Sequence, residues 1–238
     1  LDLAVTRFTA SADSRTVHFT AEAGHEIKLF SVGNAGGEVR AHPLTPGGVI
    51  GGVARAGGGL VATLDRAAKP PEVVRIDPRG NRLKAISHFN DERLVKLDLP
   101  ALEHFTFASG EGRTIHNLLV RPAGFDAAKK YPLFVVIHGG PAPQFKDAWG
   151  IRWNYHLLAS PGYVLLLTNY KGSSGYSEEF GQAIQRDPLK GPADEINQAA
   201  DAAIKRYAFI DGSRQAAGGA SYGGHLANWL QATSTRYK

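Results

Sequence analysis

Short runs of alternating apolar and polar residues fill the first 95 positions. Residues 16–21 and 27–32 alternate with a period of two between turns rich in glycine, asparagine and aspartate. Successive side chains of a strand point to opposite faces of a sheet, so this alternation predicts half-buried antiparallel strands. The pattern stops in a stretch of mixed charge at residues 87–101, where we place a domain boundary.

The strand pattern repeats at a fixed distance. Three later runs match three earlier ones at offsets of 43 or 44 residues: 60–64 matches the run at Val17, 73–76 matches 29–32, and 80–85 matches 37–41. A period of about 40–45 residues with four strands per unit is typical of β-propeller blades. We therefore predict that residues 1–95 are the C-terminal blades of a propeller whose other blades precede residue 1. A plain β domain of two hairpins is the alternative.

Residues 96–238 have a different pattern of apolar and polar residues. Residues 103–107 and 114–120 alternate around a glycine turn and predict a hairpin, whereas later strands are continuous apolar runs typical of burial on both faces. The further predicted elements are strands at 131–138 and 162–169, helices at 149–159 and 192–207, and a loop at 169–176. Buried strands that alternate with helices predict an α/β fold with a mostly parallel sheet.

The pentapeptide Gly219-Ala220-Ser221-Tyr222-Gly223 has the form G-x-S-x-G. Small residues precede it and an apolar, helix-like run follows it, which is the strand, sharp turn and helix that the nucleophile elbow of an α/β-hydrolase requires. The glycines suit a turn too tight for Cβ atoms. The N-terminus of a helix also favours developing negative charge, so Ser221 is a candidate nucleophile.

Two more motifs follow buried strands: His138-Gly139-Gly140-Pro141, and the loop 169–176 of sequence NYKGSSGY. Together with the elbow, in this order and behind propeller-like repeats, they resemble the prolyl oligopeptidase family of serine peptidases, on its acylaminoacyl-peptidase and dipeptidyl-peptidase side. The resemblance is strong over 131–235 and only architectural over 1–95. It implies an α/β-hydrolase domain at 96–238 that lacks its C-terminal part and follows propeller blades.

The resemblance also implies roles for individual residues. Ser221 would attack the scissile carbonyl of a short peptide near its N-terminus and form an acyl-enzyme. The backbone N–H groups of Tyr222 and Gly140 would form the oxyanion hole. Lys171 stands where many relatives carry arginine, and we expect it to be a solvated loop lysine. Neither a cofactor nor a metal ion is implied.

The acid and the histidine of the triad follow the serine in α/β-hydrolases. The sequence ends 17 residues after Ser221, so we expect both beyond Lys238. This segment alone should then be inactive, with the remaining C-terminal segment of the same protein as its partner. The nearby histidines are expected to serve other purposes: His225 as a packing or surface residue of the elbow helix, His138 at a strand end, and His116 and His156 as ordinary strand and helix residues.

Two other functions stay open at this point. One is an esterase or lipase that uses the same elbow, although Pro141 stands where many esterases have a further glycine. The other is a non-catalytic, propeller-type interaction protein with a decayed hydrolase half. The intact elbow and His138-Gly139-Gly140-Pro141 motif argue against decay.

Composition restricts the possible functions less than these motifs do. The 238 residues are 43% hydrophobic and 21% charged, and no apolar run approaches the length of a membrane span. The chain starts with Leu1 and has neither Met nor Cys, from which we expect a fragment or processed product of unassigned compartment. The net charge of +5 comes from scattered lysine and arginine, so no nucleic-acid-binding stripe is expected. The oligomeric state is open, a homo-oligomer included.

Overall fold

The computed structural model describes residues 1–44, 46–77 and 82–238. The chain divides into two compact units. The first contains Leu1–Leu97 together with Lys146–Trp149, and the second contains Asp98–Phe145 together with Gly150–Lys238. Their assignment as propeller blades and part of a catalytic domain remains a prediction.

The first unit is a β-sheet of two antiparallel four-stranded meanders. Its strands are β1 (Val5–Ala10), β2 (Thr16–Ala23), β3 (Glu26–Gly33), β4 (Arg40–His42), β5 (Val49–Ala56), β6 (Gly59–Arg66), β7 (Lys69–Ile76) and β8 (Leu83–Ala85), with a short helix α1 (Asp91–Leu94) after them. Among the residues that the structure describes, one parallel register, Ile27 beside Val49, joins the two meanders. Each strand of the second meander begins 43 or 44 residues after its counterpart in the first.

The sequence repeat therefore corresponds to a repeat of strands. Of the predicted run 80–85, Gly80 and Asn81 lie outside the described residues, and Leu83–Ala85 form β8. Strand β5 went unrecognised in the sequence because Gly51 and Gly52 interrupt its alternation. A methyl group at Gly51 would lie 2.2 Å from the Thr63 hydroxyl oxygen, so this glycine lets β5 approach β6 closely.

The second unit is built on a mixed five-stranded sheet. Its strands β9 (Glu103–Ala108), β10 (Thr114–Val120), β11 (Tyr131–Ile137), β12 (Val164–Asn169) and β13 (Ile210–Gly219) lie in the order β13-β11-β12-β10-β9. Strand β11 is parallel to both neighbours, whereas β10 is antiparallel to β12 and β9. The predicted hairpin is confirmed. The expectation of a mostly parallel sheet holds for β13, β11 and β12, whereas the hairpin joins them in the antiparallel sense, so two of the four strand pairings are parallel.

The helices of this unit are α2 (Tyr155–Ala159), α3 (Glu178–Gln182), α4 (Lys190–Arg206) and α5 (Tyr222–Thr233). The helix predicted from residue 149 starts six residues later, because the Asn154 side chain accepts the Leu157 N–H at 2.9 Å and caps it there. Helix α3 was not predicted, and Ser177 caps it in the same way at Phe180. Within the described ranges, none of the helices has the length and apolarity that crossing a bilayer demands.

Strand β12 separates two hydrophobic layers. Leu166 packs into a cluster with Ile196 of α4 and Leu226 of α5, whereas Leu165 and Leu167 point into a cluster on the opposite face. Alternate residues of a strand face opposite sides, so a strand covered on both faces needs the continuous apolar run seen in the sequence. These two hydrophobic layers fix the C-terminal ends of β11 and β13, where the glycine-rich motifs begin.

Truncation of Leu166 tests this core. Leu166 is fully buried between the sheet and two helices, so L166A should lower the free energy of unfolding by about 2–5 kcal/mol. The matched substitution L157A removes an exposed leucine of α2 and should change it by less than about 0.5 kcal/mol. Chemical denaturation measures both, and equal effects would contradict this packing.

Candidate active site

Ser221 occupies a strained turn between β13 and α5. Its backbone angles are φ 56° and ψ −126°, a combination that residues with a Cβ atom rarely adopt. Such a conformation costs on the order of 1–3 kcal/mol and persists only where the surroundings enforce it. Ser221 is exposed and its side chain does not cap α5, so the hydroxyl is presented to solvent at the start of the helix.

Two glycines enforce this turn by allowing close backbone contact. A methyl group at Gly219 would lie 2.3 Å from the carbonyl oxygen of Ile137, and one at Gly223 would lie 2.2 Å from the same oxygen. The end of β11 therefore touches the elbow on both sides of Ser221. No residue with a side chain fits at either position without moving the backbone of β11 or α5.

The loop after β11 lies against the serine. A methyl group at Gly139 would lie 2.9 Å from the Ala220 carbonyl oxygen and 3.4 Å from Cβ of Ser221. Gly140 follows with φ 122°, a value suited to glycine, and is exposed. The structure thus brings Gly139, the residue before the predicted donor Gly140, into contact with the elbow.

Tyr222 is the first residue of α5. The first N–H groups of a helix have no partner within the helix, so the Tyr222 N–H is available to a ligand. Its phenol donates a hydrogen bond to the carbonyl oxygen of Pro188 at 2.6 Å. Burial and the nearby Asp187 carboxylate raise the pKa of the Tyr222 phenol to about 12, so it remains a donor at neutral pH.

His138 is held by contacts of its own. Its Nε2 lies 2.9 Å from the hydroxyl oxygen of Ser173, and that hydroxyl donates to the Tyr170 carbonyl oxygen at 2.7 Å. The ring stacks on Tyr170 with 4.2 Å between centroids, and Nδ1 lies 3.0 Å from the Tyr170 hydroxyl. This histidine supports the loop that leads to Gly139.

The other histidines have contacts away from the serine hydroxyl. His225 is exposed on α5, and its backbone N–H donates to the Ser221 carbonyl oxygen at 3.0 Å. His116 stacks on Tyr176 at 4.5 Å between centroids, and His156 Nε2 lies 2.8 Å from the carbonyl oxygen of Pro100.

Lys171 is buried, and the expectation that it is a solvated loop lysine was wrong. Only 3% of the residue is exposed. Its Nζ lies 2.9 Å from Asp187 Oδ2 and 3.5 Å from both carboxylate oxygens of Glu111. These partners are distant in the sequence, so neither the composition nor the spacing of the loop indicated them.

Glu195 of α4 completes this buried group. It is 2% exposed, and one carboxylate oxygen accepts the Lys171 backbone N–H at 2.7 Å. Burial raises the pKa of Glu195 to about 7, against the opposing effects of the Lys171 N–H and the Arg113 charge. In the described ranges, no cluster of three or more potential metal ligands is present.

A strained serine between a strand and a helix, with a glycine loop against it, is the geometry that the nucleophile elbow of an α/β-hydrolase requires. Residues 149–238 match the model of the prolyl oligopeptidase family. Among curated proteins, a probable dipeptidyl-peptidase 5 of Emericella nidulans is 35% identical over 162 residues, which are 67% of this chain and 22% of that protein. The dipeptidyl-peptidase 5 of Schizosaccharomyces pombe is 35% identical over 140 residues, 59% of this chain and 20% of that protein.

Solved structures agree with these relatives. An acylaminoacyl peptidase in complex with Z-Gly-Gly-Phe-chloromethyl ketone matches all of this chain and 36% of its own, with a TM-score of 0.85 and 25% identity. The uncomplexed Pyrococcus horikoshii acylaminoacyl peptidase matches over the same shares with a TM-score of 0.84 and 25% identity. The chain belongs to the prolyl oligopeptidase family. It spans about a fifth of the length of the two curated relatives described above.

The buried Glu195 predicts a pH dependence of stability. An acid whose pKa rises on folding binds an extra proton in the folded state, so the free energy of unfolding falls as pH rises from about 4.5 to about 7. E195Q cannot titrate. Relative to E195Q, the wild type should therefore lose on the order of 3 kcal/mol across this range.

Urea denaturation from pH 4 to pH 8 measures the difference between the two proteins. E179Q, which neutralises an exposed glutamate of α3, controls for the loss of one charge. A difference between wild type and E195Q that stays constant with pH would refute the raised pKa.

Proposed function

We propose that this chain is the nucleophile-bearing part of a serine peptidase that hydrolyses short peptides near their N-terminus. The observation that carries the proposal is the strained, exposed Ser221 with Gly139 in contact with its elbow. Strain of this kind persists at functional sites because it preorganises a reactive group. The family of the chain supplies the reaction class, which is acyl transfer.

The reaction would proceed through an acyl-enzyme. The Ser221 hydroxyl oxygen forms a bond to the scissile carbonyl carbon while a base takes the hydroxyl proton. The N–H groups of Tyr222 and Gly140 bind the resulting oxyanion, each contributing roughly 3–4 kcal/mol to the transition state. The amine then leaves with the proton, and water hydrolyses the ester to regenerate the serine.

The base and its carboxylate partner are expected from outside residues 1–238. His138 is occupied by Ser173 and Tyr170, and His225 is exposed on α5, the helix that begins directly after Ser221. The order serine, acid, histidine of α/β-hydrolases supports this placement. This segment would then depend on the rest of its polypeptide for turnover.

The substrate class follows from the relatives as a proposal. Their names refer to dipeptidyl- and acylaminoacyl-peptidases, so we propose release of dipeptides or acylated residues from peptide N-termini. We also propose that residues 1–95 are propeller blades, supported by the two four-stranded meanders, and that the propeller restricts access to short peptides. The chemistry requires no cofactor.

Labelling with a fluorophosphonate tests the nucleophile in the natural full-length polypeptide. The reagent should attach to Ser221, and S221A should abolish labelling and lower kcat by about 10⁴-fold or more. S14A is a matched control, since Ser14 is also an exposed serine with positive φ but lies in the first unit. It should keep full activity. Persistent activity in S221A would refute the proposal.

Substrate chemistry separates the alternatives in the same preparation. A peptidase should turn over a dipeptidyl or acylaminoacyl anilide, whereas an esterase or lipase would accept only a p-nitrophenyl ester. Absence of both labelling and turnover would favour the non-catalytic interaction protein.

A further inference from the structure

We propose that Tyr170 and Lys171, two consecutive buried residues, are positioning residues for the oxyanion site. Tyr170 would fix the loop that leads to Gly140, and Lys171 would fix the turn that holds Tyr222. The inference rests on the proposed function, because it concerns the two N–H donors named there.

The segment that carries both residues is itself immobilised. The Tyr170 carbonyl oxygen accepts the backbone N–H of Ser173 at 3.0 Å and its hydroxyl at 2.7 Å. The Gly172 N–H donates to the Phe180 carbonyl at 2.9 Å, and the Lys171 N–H donates to Glu195. Because its polar groups are paired and buried, the segment is a fixed base from which two side chains extend.

The Tyr170 side chain reaches the loop after β11. Its hydroxyl donates to the carbonyl oxygen of His138 at 2.7 Å, while its ring stacks on the imidazole. Burial raises the pKa of this phenol, so it stays protonated and keeps donating. His138 directly precedes Gly139 and Gly140, so this bond sets the direction in which the glycine loop leaves the strand.

The Lys171 side chain reaches the turn before α4. The oxygen Asp187 Oδ2 accepts from Lys171 Nζ at 2.9 Å and from the Gly191 N–H at 2.8 Å, which ties the two ends of the turn together. Pro188, within that turn, accepts the phenol of Tyr222 at 2.6 Å. The position of Tyr222 is thereby linked to Lys171 through one carboxylate and one carbonyl.

The pocket for Lys171 is built for this side chain. A methyl group at Gly191 would lie 1.9 Å from Lys171 Nζ and 2.2 Å from its Cε, so the ammonium lies directly against the glycine. Lys171 is buried while its carboxylate partners are partly exposed, and the cost of desolvating the lysine offsets much of their attraction, so the ion pair adds little to stability. We therefore infer that the contact between Lys171 and Asp187 fixes the geometry of the turn before α4 rather than stabilising the fold.

Kinetics of variants of the natural full-length enzyme test the proposal. Y170F, K171M and D187A should each lower kcat about 10- to 100-fold with KM within twofold, because a displacement near 1 Å is enough for such losses. The control K129M removes a lysine of an exposed Lys129–Asp126 pair outside this turn and should keep kcat. The double variant K171M/D187A should be no slower than the slower single variant, since both act through one contact.

Inhibitor binding supplies a readout that general destabilisation would not move. Affinity for a peptide aldehyde, which forms an oxyanion-like adduct with the serine, should fall by the same factor as kcat/KM. Affinity for a product dipeptide should not change. If K171M does not fold, Y170F and D187A decide the question, because Y170F removes one hydroxyl and Asp187 is partly exposed.

The outcomes distinguish this inference from the proposed function. If S221A is inactive while Y170F and D187A keep kcat and aldehyde affinity, the positioning role is overturned and the proposed function stands. If S221A retains activity, both are overturned. A parallel fall of kcat and aldehyde affinity in Y170F and D187A, with K129M unaffected, supports the positioning role.

Discussion

The geometry of the candidate active site depends on the contact between the elbow and the end of β11. The Ile137 carbonyl oxygen lies so close to Gly219 and Gly223 that only the backbone fits, which leaves Ser221 in a conformation it would not adopt alone. The strained turn persists because β11 pairs with a strand on each side and is packed on both faces, which fixes its end against the elbow. The exposed, strained serine at the start of α5 therefore depends on the fixed C-terminal end of β11.

A layer of buried polar residues lies near this contact. It is held by directional hydrogen bonds, whereas the apolar core is held by packing. Tyr170, Lys171 and Ser173 are all buried, and a buried polar group is costly unless its partner is well placed. Each has such a partner: Tyr170 and Ser173 contact His138 at the end of β11, and Lys171 contacts Asp187 in the turn before α4. Apolar packing positions the strands, while these directional bonds position the loops between them.

The sequence predicted the elements that local patterns define, but not contacts between distant segments. The elbow, both motif loops and the repeated strands follow from spacing, whereas β5 was obscured by Gly51 and Gly52 and α3 by its short length. The burial of Lys171 depends on Glu111 and Asp187, which lie 60 and 16 residues away. A pattern read along the chain contains no information about such pairs, because charge alone favours solvent exposure for lysine.

The buried layer also couples charge to geometry near the proposed oxyanion site. Glu195 binds the Lys171 backbone N–H, while the Lys171 ammonium binds Asp187, which lies next to Pro188 in the turn that holds Tyr222. Hydrogen bonds from Lys171 and Gly191 lower the pKa of Asp187 although its partial burial acts in the opposite direction. The two carboxylates thus differ in protonation near neutral pH. Asp187 stays ionised and holds the turn, and Lys171 links this carboxylate to the titrating Glu195.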